Sequence, residues 1–334
     1  MTITDKIENL KTGYDMSYRN KYTKWVAAMF AAVLMFLPGC IKESPVDDYL
    51  PAGSTVLRIS TKGIAVSDAP GTDYEVYVKT LRLIGFQEGN KVLDAVINFE
   101  DESVMEKYPV LGTGEKAYIE IPLKDLGATI KRGTLDLYAV ANEEAAWTDE
   151  NNPFRNIKQD DLKNLSVAAE DSYPAPRADN PFLMSAHVNT TLVAQKNEID
   201  IKLVRTVGKV MLKSVKMADG TPLNGYTYTL GASGSVYASY PLFEGTAGQG
   251  TKDVTISPEV APFYISESGN TVDITVTVTY DGTQYSGTLN SQQITRNHCL
   301  QINGIITKEE EVPCLQFDVT VLPWTEQEID VSYE

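Results

Sequence analysis

Three cysteines (Cys40, Cys299, Cys314) and two histidines (His187, His298) are the side chains of this 334-residue sequence best suited to nucleophilic, redox or metal chemistry. Two histidines are too few for a histidine-rich metal cluster or a histidine relay. His298 and Cys299 adjoin in sequence. On a strand such neighbours project to opposite faces, so they do not form a base and nucleophile. Carboxylates are plentiful, but Asp47 and Asp48, Asp160 and Asp161, and Glu309 to Glu311 lack the spacing of a calcium loop or of a paired acid and base. They read as solvated charge. No GxGxxG, GxxxxGKS/T, HExxH or GxSxG motif occurs. The sequence therefore predicts no enzyme activity, no cofactor and no metal site.

Cys40 has a more specific setting. It ends the run WVAAMFAAVLMFLPGC, in which the apolar stretch 26–37 is followed by Pro38 and Gly39. That stretch is shorter than the roughly 20 residues a helix needs to cross a bilayer. With Arg19, Lys21 and Lys24 upstream, it has the form of a signal h-region behind a cationic n-region. The end of the run resembles a lipobox, with Pro38 where Ala, Ser or Thr is usual. The resemblance implies that the Cys40 thiol takes a diacylglyceryl group and becomes the first mature residue. An ordinary secretory signal ending near a cysteine is the alternative. Met16, followed by SYRNKYTK, would open a compact signal of its own, so the start is Met1 or Met16. Residues 1–39 are read as signal peptide and residues 40–53, polar and proline-containing, as a tether.

The sequence carries a formal charge of −16. Residues 1–39 hold five basic and three acidic side chains, so the mature chain is more acidic still. Nucleic-acid binding needs clustered Lys and Arg to displace counterions, and such a chain has no footprint for it. Two cysteines beyond Cys40 do not make a disulfide scaffold. If their strands form a hairpin around residues 309–310, Cys299 faces about residue 320 and not Cys314. A periplasmic disulfide and two buried small hydrophobes both remain open readings.

The elements that must position these residues are short strands. VLRIS, EVYVKTLRLIGF, VLDAVINF, AYIEIPL and LDLYAVAN are rich in β-branched and aromatic residues between turn residues. DESVMEKY and KQDDLKNLSVAAED read as short surface helices or turns, and SYPAPRADNPF as a loop on the rim of a first domain. In TVDITVTVTYDGTQYSGTLN, Val272, Ile274, Val276, Val278 and Tyr280 share one face, and Asp281 with Gly282 forms a tight hairpin turn. With no βαβ spacing, the sheets are expected to be antiparallel and stacked. The fold class is all-β, two antiparallel, transthyretin-like sandwiches in tandem, over residues 54–196 and 197–334.

Several phrases in order along the chain then carry a family resemblance: VKTLRLIGFQEGNKVLDAV, GTLDLYAVANEE, NPFLMSAHVNTTL, EIDIKLVRTVGKVMLKS, ITRNHCLQINGI and VTVLPWTEQEIDVSYE. The chain resembles the fimbrillins, two-domain subunits of the protease-matured, type V pili of Bacteroidales. Leu300 stands where an aromatic is common, and the cysteines that pilus anchors carry soon after the lipidated one are missing. The resemblance implies export as a lipoprotein, passage through the periplasm to the outer membrane, and cleavage after a basic residue that removes the first strand. A strand from a neighbouring subunit then fills the vacated groove. Partners would be other fimbrial subunits, the outer membrane through the lipid, and a receptor on a host or bacterial surface.

Within this frame Arg58, in TVLRIST, is the candidate maturation site, with Lys62 as its rival. Ile329, Val331 and Tyr333 are the candidate donor-strand residues. They resume the odd-position apolar pattern of Leu315, Phe317, Val319 and Val321 after Pro323, which cannot donate to a ladder. A terminal strand folded on its own sandwich is the alternative. The function read here is a structural subunit of a surface fimbrium supporting adhesion. The alternatives are a pilus anchor or tip subunit, or a lipid-anchored protein that binds glycans or host proteins without polymerising. For the last, the tyrosines of NGYTYTL and SVYASY would form an exposed platform.

Overall fold

The computed structural model describes residues 49–50, 54–61, 73–144, 147, 150–243, 248–259, 262–309 and 312–323. The first region supplies β1 (Thr55–Ser60), β2 (Thr80–Gln87), β3 (Asn90–Asn98), β4 (Val110–Leu111), β5 (Tyr118–Pro122), β6 (Gly133–Ala141), β7 (Ser166–Ala168), β8 (Met184–Leu192), β9 (Asn197–Lys202) and β10 (Val204–Arg205). The second supplies β11 (Gly208–Met217), β12 (Thr227–Val236), β13 (Ser239–Pro241), β14 (Lys252–Glu259), β15 (Phe263–Ile265), β16 (Val272–Tyr280), β17 (Thr283–Gln292), β18 (His298–Glu309) and β19 (Val312–Pro323).

Sheets of order β4-β5-β1-β9 and β10-β8-β6-β2-β3 enclose one buried cluster that includes Leu57, Ile59, Leu83, Ile119, Leu137 and Ile199. Sheets β15-β11-β18-β19 and β14-β12-β16-β17 enclose another, around Leu212, Leu230, Val276 and Ile302. The fold is therefore all-β and built of stacked sheets.

Alternation explains the clearest strands. Val272, Ile274, Val276 and Val278 have no exposed surface, while Thr275 between them is exposed. Asp281 and Gly282 have φ of 50° and 72°, the left-handed pair that lets β16 turn directly into β17. The continuous apolar runs have a different cause. In β2 and β6, Leu83, Leu137 and Ala139 face the first cluster, whereas Ile84, Phe86, Tyr138 and Val140 point the other way into the second. A sheet covered on both faces needs apolar residues at every position. Residues Glu102–Lys107 form the expected short helix, capped by Asp101, whose Oδ1 accepts from Ser103 N at 2.9 Å.

Three expectations change. The sheets are not wholly antiparallel: β1 runs parallel to β9, and β11 parallel to β18. Parallel neighbours need a long connection between them, and here most of a sandwich intervenes in each case in place of a helix. Strand β9, assigned to the second domain from its sequence, lies in a first-region sheet; its one-sided pattern reports a covered face but no partner. The segment SYPAPRADNPF is not confined to a first-domain rim. Tyr173 N donates to Tyr264 O at 3.0 Å, so this stretch docks on the second region; so does the end of KQDDLKNLSVAAED, where β7 pairs with β13 as a strand and only Gln159–Lys163 is helical. The chain passes to β11 at Gly208, where a Cβ would lie 2.6 Å from Ile294 Cγ2 and 2.9 Å from Thr295 O. Glycine admits that approach.

Candidate assembly interface

β1 is an interior strand. It pairs antiparallel with β5 (Leu57 opposite Ile121) and parallel with β9 (Leu57 opposite Ile199). Leu57 and Ile59 have no exposed surface, and Thr55 is nearly as buried. Complete burial of each aliphatic side chain contributes about 1.5–3 kcal/mol. Removing this strand would leave two unpaired backbone edges, on β5 and β9, flanking a slot with an apolar floor.

Arg58 lies midway along β1 on the outer face. Its Nε is 3.0 Å from Glu120 Oε1 and its Nη1 2.9 Å from Glu198 Oε2. Its guanidinium carbon sits 5.5 Å from the centre of the Tyr118 ring. Cys40, Lys62, Ile329, Val331 and Tyr333 lie outside the described residues.

β18 and β19 form the long hairpin expected near residue 310, with Cys299 opposite Leu322 and Cys314 opposite Thr307. Cys299 is a free, buried thiol, so no disulfide joins it to Cys314. Antiparallel pairing sets the two cysteines well apart along the ladder. Burial pushes the Cys299 thiol up to about 11, with Lys209 acting in the opposite sense. His298 Nδ1 lies 2.9 Å from the Arg296 carbonyl. His187 stacks on Tyr138 with ring centres 4.3 Å apart and reaches Asp136 at 3.1 Å. β19 is an edge strand that ends at Pro323; Leu315 is buried, Phe317 and Val319 are half-buried, and Val321 is 50% exposed.

A buried polar junction between the two regions was not anticipated. Lys209 Nζ and Tyr264 Oη each donate to Glu75 Oε1, at 2.6 Å and 2.7 Å. Arg205 Nε donates to the Glu75 carbonyl at 2.7 Å, and Arg205 Nη1 to Asn297 Oδ1 at 3.1 Å. Burial raises the Tyr264 hydroxyl well above its usual range, and the Glu75 carboxylate adds to the effect. Basic residues inside the apolar run LVRTVGKVML were the available signal, since a buried cation requires a partner. Arg296, next to Asn297, donates from Nη1 to Pro241 O at 2.7 Å. At the end of β6, Asn142 adopts φ 59°. Its Nδ2 donates to Tyr77 O and Phe182 O, both at 2.8 Å, and its Oδ1 accepts from Lys79 N at 2.8 Å. Several phrases that carry the family resemblance thus hold side chains that satisfy buried backbone.

The tyrosines do not build an exposed platform. Tyr226 and Tyr228 pack half-buried on the second cluster, and Tyr240 is 2% exposed within it.

No family model matches the sequence. Major fimbrium subunit FimC of Porphyromonas gingivalis is 24% identical over 333 residues, covering 88% of this chain and 68% of FimC. Among solved structures, a fimbrial assembly protein from Parabacteroides distasonis superposes with a TM-score of 0.51 at 16% identity, over 80% of this chain and 98% of its own. The tip fimbrial protein Mfa3 of P. gingivalis, with a C-terminal truncation, gives 0.51 at 14% identity, over 81% and 99%. Paired sheets around two buried clusters, with the first strand interior to its sheet, define a β-sandwich protein that shares its fold with both. The resemblance to the Bacteroidales fimbrillins read from the sequence is thus met by a fimbrium subunit in sequence and by fimbrial proteins in fold.

Proposed function

We propose that this chain is a structural subunit of a cell-surface fimbrium that supports adhesion, exported as a lipoprotein acylated on Cys40 and assembled by strand exchange at the outer membrane. The observation that carries the reading is the position of β1: first strand after the tether, interior to its sheet, with Leu57 and Ile59 wholly buried. Cleavage after Arg58 removes Thr55–Arg58 of β1, and cleavage after the rival Lys62 removes all of it; either frees the body from its lipid and opens a slot between β5 and β9. An extended segment then supplies both the missing ladder and the missing apolar side chains. Ile329, Val331 and Tyr333 are the candidate side chains offered in turn to a neighbour. The relatives named as a major fimbrium subunit and a tip fimbrial protein support the role.

Mass spectrometry of the N-terminus on sheared surface material tests it. A start at Ile59 or Gly63 is the expected result, and a mature start at an acylated Cys40 would instead indicate an anchor or an uncleaved lipoprotein.

A further inference from the structure

The slot filled by β1 has a charge requirement as well as an apolar one. Resting on the strand-exchange reading above, we propose that it selects a donor strand from a different subunit, one with a basic side chain at its central outward position, and rejects the C-terminal segment of another copy of this chain.

The outer rim of the slot is acidic beside Arg58 and basic at its ends. β5 presents Glu120 on that side, and β9 presents Glu198, Asp200 and Lys202, alternating with buried Ile199 and Ile201, with Lys196 Nζ 2.6 Å from Glu198 Oε1. In register, Arg58 stands opposite Glu120 on one neighbour and Asp200 on the other, while Lys202 lies further along, opposite Ser60. The guanidinium binds Glu120 at 3.0 Å and Glu198 at 2.9 Å. With β1 removed, three carboxylates surround one vacant outward position. Facing side chains on neighbouring strands attract or repel according to sign.

The segment 325–334, TEQEIDVSYE, offers the wrong charge. If Ile329, Val331 and Tyr333 point inward, the outward set is Glu328, Asp330 and Ser332. Period-two alternation holds whichever way the strand runs, so reversing the insertion does not help. Residues 309–334 hold no Lys or Arg, so no shift of register within them brings in a cation. A second copy would set a carboxylate among carboxylates, whereas a donor with Lys or Arg between two apolar residues restores the ion pairs of Arg58.

The test keeps the chain intact except for a nick. A site-specific protease sequence is inserted within residues 62–72, the protein is cut there, and the retained β1 piece is exchanged against labelled peptides. Three probes suffice: residues 54–61, the same peptide with Arg58→Glu, and residues 325–334. The Arg58 peptide should exchange in at least roughly tenfold more tightly than its Glu form, as expected when several facing pairs change sign. The 325–334 peptide should behave like the Glu form until Asp330→Arg is introduced. In the Glu120→Lys, Glu198→Lys protein the preference should invert. Equal exchange of the Arg and Glu peptides would overturn the charge selection alone. Failure of every peptide to enter would overturn the strand-exchange reading with it.

Discussion

Lys209 Nζ lies 2.6 Å from Glu75 Oε1, joining residues 134 positions apart in sequence, with both side chains largely withdrawn from solvent. Tyr264 Oη donates to the same oxygen at 2.7 Å. Glu75→Ala removes the carboxylate that this ammonium and phenol share and should cost about 2–4 kcal/mol in chemical denaturation. Replacing the pair together, Glu75→Leu with Lys209→Met, should recover most of that loss, because no uncompensated charge stays behind. A double variant as unstable as the single one would show that the carboxylate serves the Arg205 and Tyr264 side of the junction more than Lys209.

Asn142 holds the end of β6 to two other segments through its amide, at φ 59°. Asn142→Ala removes hydrogen bonds to two carbonyls and an N–H and forces a Cβ-bearing, non-Asx residue to keep a left-handed backbone, so a loss of about 2–4 kcal/mol is expected. Asn142→Gly relieves the backbone component and should lie about 1 kcal/mol closer to the parent. Thermal unfolding of the three proteins at one pH measures both differences.

Burial holds the Cys299 thiol at about 11, against about 8.5 for an unfolded cysteine. Between those values the unfolded chain has lost the proton that the folded chain keeps, so stability is full below the unfolded pKa and falls as pH rises towards the folded one. The slope from this one group is about 1.4 kcal/mol per pH unit. In a Cys40→Ala, Cys314→Ser background, thiol-reagent labelling at pH 8 should be slow in the folded protein and fast in denaturant. Cys299→Ala should remove this component of the alkaline loss. Rapid labelling of the folded protein at pH 8 would contradict the buried, protonated thiol.

β19 ends at Pro323, and the segment beyond it carries the donor proposal. Deleting residues 325–334 should leave the unfolding midpoint within a few degrees of the parent while abolishing incorporation into fibres. Loss of folding, or fibres of normal length, would place the segment on its own sandwich.

Chemical labelling tests the lipid. Cys40→Ala should abolish acyl incorporation and detergent partitioning, because several acyl chains at about 0.8 kcal/mol per buried CH₂ are what would hold the chain to the bilayer. Unchanged labelling would remove Cys40 from the assembly sequence altogether.

Local pattern alone determined the all-β class and the β16–β17 hairpin at Asp281 and Gly282; it left the pairing of Cys299 and Cys314 open, which the β18–β19 register decided. That class and the β16–β17 hairpin depend on residues close in sequence or on side-chain alternation, which the chain carries without reference to a partner. Which strand lies beside which was a tertiary decision. The parallel pairs β1·β9 and β11·β18 join segments far apart in the chain, and β9 has the same alternation whichever sheet it enters. The same holds for Arg58: the sequence marks a basic residue in a first strand, but only the register sets Glu120 and Glu198 around it. Arg205 and Lys209 stood out as cations in an apolar run, yet their shared acceptor Glu75 comes from the first region, and only the folded chain brings those residues within reach.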